Sequence, residues 1–233
     1  MPIEILPDFP LSHLSLPKRN HVELIHPRAD AYAATFSTQK NDLLKSIVAE
    51  TERSHSQPHM LSGQLQGQFL EIISKLTSPK RILEIGTMVG YSTICLAQGL
   101  AAGGRLHTIE MREEDAAIAR SNFSRAGVQD KIQMHIGNAL AIIPQLEETW
   151  DLVFIDADKT GYMQYYDMVK PRLRSGGLLL ADNVLFHGEV LEDPIKGKNA
   201  KAIHAFNERV AADAEVEKVM LTLRDGLFLI RKK

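Results

Sequence analysis

Acidic and amide side chains directly follow two apolar segments of this chain, and their types suggest metal chemistry. Asp156 and Asp158 follow one apolar segment, and Asp182 and Asn183 follow another. If the two segments are neighbouring parallel strands, their carboxyl ends meet at one edge of a sheet. Carboxylate and amide oxygens are hard ligands that suit Mg²⁺, Mn²⁺ or Ca²⁺ rather than zinc. We therefore predict a divalent cation, with Mg²⁺ favoured, held at this edge by two carboxylates and an amide oxygen.

Lys159 lies beside this site and is the candidate catalytic base. Asp156 is the other candidate catalytic residue. The reference pKa of lysine is about 10.4, and both burial and an adjacent dication would lower it. A neutral amine could then accept a proton from a hydroxyl group bound to the cation. Taken alone, Lys159 is more often a solvated surface lysine, and Asp158 fits a helix cap equally well. Both assignments therefore depend on the neighbouring residues.

A glycine turn forms the second chemical motif, within the segment RILEIGTMVGYS. Gly86 and Gly90 are only two glycines, whereas dinucleotide folds use three, and Tyr91 stands where a P-loop needs lysine. The carboxylate of Glu84 would repel a phosphate but could accept a hydrogen bond from an ammonium group. This combination favours a nucleoside without a phosphate chain, such as S-adenosylmethionine. Glu110, after the next predicted strand, could accept hydrogen bonds from ribose hydroxyls.

Repeated strand–helix units must position these residues. The predicted strands cover residues 81–85, 105–109, 131–136, 151–155, 177–181, 216–223 and 226–231. The predicted helices between them cover residues 91–100, 113–126, 139–146, 161–173 and 200–212. This alternation predicts an α/β fold, a Rossmann-like seven-stranded, mostly parallel sheet with helices on both faces. The last two strands form a hairpin, so the final strand runs antiparallel.

The chain before the first strand is predicted to be an arm followed by helices. Residues 1–25 are rich in proline and predict an extended N-terminal arm. Residues 28–78 predict a helical preface, with helices over 30–36 and 39–53 and a third helix capped by Ser62. We predict one domain over residues 1–233.

Composition narrows the class of protein. The chain has 233 residues, 44% of them hydrophobic, and a formal net charge of −2, so no polyanion-binding surface is indicated. Cys95 is the single cysteine, which excludes an internal disulfide and suits a reducing compartment. No apolar run is long enough to span a bilayer, and no secretory pattern is present. We therefore expect a cytoplasmic protein without a membrane partner.

Several motifs in order resemble the metal-dependent class I O-methyltransferases of the catechol and caffeoyl-coenzyme-A type. They are LEIGTMVGYS, Glu110, GNAL, FIDADK and ADNVLFHG, and the likeness runs from about Met60 onward. The resemblance implies metal ligands at Asp156, Asp182 and Asn183 and a catalytic role for Lys159. It implies cofactor contacts at Met60, Ser62, Glu84, Gly86, Ser92, Glu110, Ala139 and Asp158. Their neighbours at the strand ends extend the predicted cofactor site to Thr87, Met111, Asn138, Asp156 and Tyr162.

The resemblance further implies a homodimer whose N-terminal segment helps to cover the active site. It implies that S-adenosylmethionine methylates a hydroxyl of a catechol-type small phenol chelated by the metal. Phe186 stands where plant members often carry tryptophan, and residues 188–199 belong to a variable region, so acceptor contacts cannot be transferred.

Three other functions fit the sequence less well than this one. A tRNA (hydroxyuridine) O-methyltransferase on the same scaffold is the main alternative. The near-neutral charge counts against nucleic acid as a partner, whereas the basic residues Lys196, Lys198 and Lys201 keep it open. A nicotinamide-dependent oxidoreductase is disfavoured by the missing third glycine and by Glu84. A pure binding module would leave the metal–lysine set without a purpose.

Overall fold

The computed structural model describes residues 24–39 and 41–233, so most of the predicted arm lies outside the described residues. The helices are α1 (Pro27–Thr35), α2 (Asp42–Ser54), α3 (Gln64–Thr77), α4 (Tyr91–Ala97), α5 (Glu113–Arg125), α6 (Ala139–Ile142), α7 (Tyr162–Val169) and α8 (Lys198–Ala211). The strands are β1 (Arg81–Ile85), β2 (Arg105–Glu110), β3 (Ile132–Ile136), β4 (Trp150–Ile155), β5 (Leu173–Asp182), β6 (Val216–Leu221) and β7 (Leu227–Lys232). Three helices thus occupy the predicted helical preface.

The seven strands form one mixed sheet in the order β3-β2-β1-β4-β5-β7-β6. The first five strands pair in parallel, whereas β7 is antiparallel to both β5 and β6. The predicted fold class is confirmed. Because the parallel strands share one direction, the residues that follow β1, β2, β3, β4 and β5 lie along the same edge of the sheet.

The central strands β1 and β4 are largely apolar because both faces of the sheet are covered. Successive residues of β4 point to opposite faces: Val153 packs in one core cluster and Phe154 in the other. The first cluster includes Tyr166 and Phe206 from α7 and α8, and the second includes Leu70 from α3. Helices therefore bury both faces, as a parallel sheet requires.

Some predicted boundaries were wrong, and each has a local cause. Gly63, not Ser62, is the N-cap residue of α3, and it makes no side-chain cap. The helix predicted over 161–173 ends as an α-helix at Val169, because Pro171 lies in the 3₁₀ turn that follows. Strand β5 begins at Leu173, before the predicted start at residue 177, and its register with β4 shifts near the start.

No helix in the described part of the chain is both long enough and apolar enough to cross a membrane.

Candidate functional site

A cavity of about 980 Å³ lies at the carboxyl edge of the sheet. Most of the residues predicted from the sequence line its wall. They are Met60, Ser62, Gly86, Thr87, Ser92, Glu110, Met111, Ala139, Asp156, Asp158, Lys159 and Asn183. The edge of α1 contributes Pro27 and Asp30 to the same wall. The sheet therefore brings together the two motifs that the sequence separated by some seventy residues.

Gly86 joins the ends of three strands. It has a φ of 97°, and a Cβ atom added there would lie 1.9 Å from the carbonyl oxygen of Asp156. Its amide donates to the carbonyl oxygen of Ile109 at 2.9 Å, and the amide of Asp156 donates to that of Ile85 at 2.9 Å. Only glycine satisfies both the left-handed backbone and the close approach. The turn after β1 is thereby tied to the ends of β2 and β4.

Glu110 organises the same turn from the end of β2. Its Oε2 accepts hydrogen bonds from the amides of Thr87 at 3.1 Å and Met88 at 2.7 Å. Its Oε1 accepts one from the amide of Arg112 at 2.9 Å. An ionised carboxylate offers about four acceptor positions, so one is left for a ligand hydroxyl in the cavity. This geometry fits the predicted ribose contact.

Glu84 lies behind the cavity wall and does not line it. The side chain is fully buried and accepts hydrogen bonds from the hydroxyls of Ser92 at 2.7 Å, Thr93 at 2.5 Å and Thr108 at 2.6 Å. Burial raises the pKa of Glu84 to about 7, although these hydroxyls oppose the shift. The structure therefore does not support a direct contact between Glu84 and a ligand. The carboxylate instead anchors the first turn of α4, which presents Ser92 to the cavity.

Lys159 lies at the centre of the acidic half of the site. Its Nζ donates to Oδ1 of Asp156 at 3.2 Å, to Oδ1 of Asn183 at 2.8 Å and to the Tyr162 hydroxyl oxygen at 2.7 Å. The Tyr162 hydroxyl in turn donates to the backbone carbonyl oxygen of Asp182 at 3.0 Å. The ends of β4 and β5 therefore meet around the Lys159 amine, in agreement with the predicted convergence of these two strand ends.

Asp182 lies beneath these residues, and its charge is poorly matched. The side chain is 1% exposed, and neither carboxylate oxygen has a hydrogen-bond partner within the described part of the chain. The guanidinium of Arg224 is 3.9 Å from Oδ2. Burial, reinforced by the carboxylate of Asp156, raises the pKa of Asp182 to about 7. The Arg224 guanidinium and the neighbouring Gln66 side-chain amide oppose this shift, although the amide is not aligned for a hydrogen bond.

An unsatisfied buried carboxylate is the type of group that a cation would neutralise. Asp156, Asp182 and Asn183 supply hard oxygen donors, so they fit a divalent cation such as Mg²⁺. No group of three or more His, Cys, Asp or Glu side chains suited to a metal occurs among the described residues. A cation here would therefore depend on two carboxylates and one amide.

Besides Glu84, two further predicted cofactor contacts do not line the cavity. Tyr162 is fully buried under Lys159, and Tyr165, one helical turn later, lines the wall and donates its hydroxyl hydrogen to Asp158. Asn138 accepts a hydrogen bond from the amide of Leu140 at 2.9 Å, so it is the N-cap of α6. Tyr165 therefore replaces Tyr162 as the aromatic residue beside the predicted cofactor.

The sequence interpretation also missed the turn between β6 and β7. Arg224 and Asp225 both line the cavity. Arg224 donates to Oε1 of Gln66 at 2.9 Å, and Asp225 accepts from Nδ2 of Asn183 at 3.1 Å. The sequence showed only a short turn between two strands, and nothing in that pattern connected the turn to the other strand ends.

Comparisons with known proteins agree with this geometry. The model of a family described as O-methyltransferase matches residues 34–233. The chain belongs to this O-methyltransferase family. A catechol O-methyltransferase from Niastella koreensis is 38% identical over 203 residues, which cover 85% of this chain and 91% of the relative. A probable caffeoyl-CoA O-methyltransferase from Dictyostelium discoideum is 33% identical over 207 residues, covering 86% and 90%.

A solved structure shares the architecture. The O-methyltransferase from Bacillus cereus in complex with SAH superimposes with a TM-score of 0.81 at 33% identity, covering 88% of this chain and 97% of that one. The predicted family and enzyme class are thus confirmed. The chain is an S-adenosylmethionine-dependent O-methyltransferase of the catechol and caffeoyl-CoA type.

Proposed function

We propose that this O-methyltransferase is divalent-metal-dependent and methylates one hydroxyl of a catechol-type small phenol. The observation that carries the proposal is the buried Asp182 carboxylate with two unsatisfied oxygens, next to Asp156 and Asn183. Leaving such a charge unmatched is costly, and a cation shared with the neighbouring oxygens would offset that cost. The names of the relatives, which refer to catechol and caffeoyl-CoA, support a phenolic acceptor.

Asp156, Asp182 and Asn183 would hold the cation, with Mg²⁺ favoured over Mn²⁺ and Ca²⁺. When bound, the cation would supply Lewis acidity that favours the ionised form of a phenolic hydroxyl. Lys159 is within hydrogen-bond distance of both Asp156 and Asn183, so its Nζ can meet a hydroxyl held between them. The amine would accept the proton of that hydroxyl, which is the role of a general base.

The opposite half of the cavity would orient the cofactor. S-adenosylmethionine supplies a methyl group on a sulfonium. The free acceptor position of Glu110 suits a ribose hydroxyl, and Asp158 and Tyr165 form a polar pair on the neighbouring wall. The ends of β1 and β4 are in direct contact at Gly86, which fixes the distance between the two halves. Such alignment of donor and acceptor provides much of the acceleration in a direct displacement.

Phe186 and His187 would form the wall against the acceptor, because both line the cavity beside Asn183. An aromatic ring at this position suits a flat phenol. The alternative acceptor, a hydroxyuridine in tRNA, is supported only by the exposed lysines Lys196, Lys198 and Lys201.

Three further proposals concern the oligomeric state, the extent of the domain and the location of the protein in the cell. The family resemblance predicts a homodimer, which size-exclusion chromatography with light scattering would test. We also propose that residues 1–233 form one methyltransferase domain, and that it acts in the cytoplasm, where the single Cys95 would stay reduced.

The decisive experiment measures methyl transfer from labelled S-adenosylmethionine to caffeic or protocatechuic acid, with Mg²⁺ and with EDTA. Bulk tRNA serves as the competing acceptor. We expect labelled phenol with Mg²⁺ and none with EDTA. Phenol methylation that persists in EDTA would contradict the metal assignment, and label in tRNA alone would replace the acceptor.

A further inference from the structure

The turn Arg224-Asp225 between β6 and β7 contacts two of the three proposed metal ligands. Asp225 binds the Asn183 side chain, and Arg224 lies 3.9 Å from the Asp182 carboxylate. We propose that Asp225 is a positioning residue that orients Asn183 for cation binding and couples that ligand to the acceptor wall. This inference rests on the metal site of the proposed function.

The side-chain amide of Asn183 is held at both of its ends. Its Nδ2 donates to Oδ2 of Asp225 at 3.1 Å, and its Oδ1 accepts from Nζ of Lys159 at 2.8 Å. An amide has one donor end and one acceptor end of nearly the same shape. A carboxylate can only accept when ionised, so Asp225 holds the nitrogen and thereby turns the oxygen toward the cation site.

Asp225 is itself held in place by its surroundings. It is 8% exposed, and its carbonyl oxygen accepts a hydrogen bond from the amide of Leu185 at 2.9 Å. The amide of Val184 donates to the carbonyl oxygen of Gly226 at 3.1 Å. A Cβ atom on Gly226 would lie 2.6 Å from the Leu185 side chain, so the turn packs directly on the segment after β5. The orientation of the carboxylate is therefore set by the backbone on both sides.

The wall proposed for the acceptor has an unusual backbone conformation. Asn183, Phe186 and His187 have φ angles of 55°, 43° and 55°, in the left-handed region that favours glycine. Such backbone angles are strained for residues other than glycine and persist only where their surroundings hold them. Oδ1 of Asp225 accepts a hydrogen bond from the backbone amide of His187 at 2.5 Å. One carboxylate therefore holds both the ligand amide and the strained wall beside it.

The test measures Mn²⁺ affinity by electron paramagnetic resonance, together with the affinity for S-adenosylhomocysteine and thermal unfolding without metal. Partners of metal ligands typically change metal affinity about 10–100-fold. We expect Asp225→Ala to weaken Mn²⁺ binding within that range while S-adenosylhomocysteine affinity changes less than about twofold. Asp225→Asn should be intermediate, because its single oxygen can accept only one of the two hydrogen bonds. Asp130→Asn, which removes an exposed carboxylate far along the chain, is the charge-matched control.

The outcomes separate this proposal from the one on which it rests. Wild-type protein that binds no Mn²⁺ would overturn the metal site and the role of Asp225 together. Wild-type binding with unchanged affinity in Asp225→Ala would overturn the positioning role alone. Parallel loss of Mn²⁺ and S-adenosylhomocysteine binding would show that Asp225 is merely structural. If Asp225→Ala does not fold, the same criteria apply to Asp225→Asn, with a measurable loss of Mn²⁺ affinity expected.

Discussion

Glu84 and Asp182 are buried carboxylates in the two halves of the site, and they differ in the number of hydrogen bonds that they accept. Glu84 accepts three hydrogen bonds from hydroxyl groups, whereas Asp182 accepts none within the described residues. Burial raises the pKa of both to about 7. In the proposed cofactor half the chain's own donors satisfy the buried carboxylate, whereas in the proposed acceptor half the described residues leave it without a hydrogen bond. We expect the cofactor half to be organised without a ligand, and the acceptor half to be stabilised strongly when a cation binds.

Lys159→Ala should give the largest effect, because it removes the proposed base from the acceptor half. We expect kcat to fall about 10²–10⁴-fold while S-adenosylhomocysteine affinity stays near the wild-type value. Steady-state kinetics and calorimetry would measure the two quantities. Lys159→Arg is the matched variant, because arginine keeps the charge but cannot give up its proton. Near-wild-type kcat in Lys159→Arg would show that only the charge is required.

Gly86→Ala should disrupt both halves at once, because this glycine joins them. A Cβ atom would collide with the carbonyl oxygen of Asp156, and the backbone is left-handed at φ 97°. Strain and overpacking together should lower the free energy of unfolding by about 3–5 kcal/mol. Gly103→Ala is the control, because its φ is 72° but a Cβ atom would meet nothing within 4 Å. Urea unfolding that gives equal losses for the two variants would contradict the proposed close contact.

Asp182→Asn should distinguish the two halves of the site by their response to Mn²⁺. We expect Mn²⁺ to stop stabilising this variant, while its metal-free stability stays at or above that of the wild type because an unmatched charge is gone. Glu84→Gln neutralises the other buried carboxylate and should keep the response to Mn²⁺. Thermal unfolding with and without Mn²⁺ would measure both. A full Mn²⁺ response in Asp182→Asn would remove Asp182 from the ligand set.

The smallest effect concerns pH and Glu84. The folded protein should bind more protons than the unfolded chain between the ordinary pKa of 4.5 and the shifted value of about 7. The Glu84 contribution to stability is therefore largest at low pH and is lost as pH rises through this window. In chemical denaturation between pH 4.5 and 8, we expect the free energy of unfolding of Glu84→Gln to rise relative to that of the wild type. Parallel curves for the two proteins would show that Glu84 has an ordinary pKa.

Local patterns were sufficient to predict the seven strands and the glycine turn, and the metal ligands stay a prediction. The alternation of strands and helices required a parallel sheet, and the carboxyl ends of its strands had to converge. Helix phase was not predictable in the same way: the sequence interpretation chose Tyr162, but α7 turns Tyr165 toward the cavity. The 3₁₀ turn before α7, over Lys159–Gly161, determines that phase, and nothing in the spacing of the tyrosines reveals it.

Contacts between segments far apart in the chain could not be predicted from the sequence either. Asn183 and Asp225 are 42 residues apart, and Gln66 and Arg224 are 158 apart. No periodicity or motif links such positions in a single sequence. The same limit applies to β7, whose position between β5 and β6 was not predicted. Glu84 was correctly expected near the glycine turn, but its burial depends on hydroxyls from both α4 and β2.

The insertion of β7 between β5 and β6 has a consequence for the order in which the enzyme matures. The partners of Glu84 on α4 lie eight and nine residues away, so this part of the site can assemble as soon as the first strands associate. Asp225 can reach Asn183 only after β6 and β7 have been synthesised and β7 has entered the sheet. Closing long loops is slower than forming local contacts. A nascent or refolding chain should therefore acquire its cofactor pocket first and its competence to bind metal last.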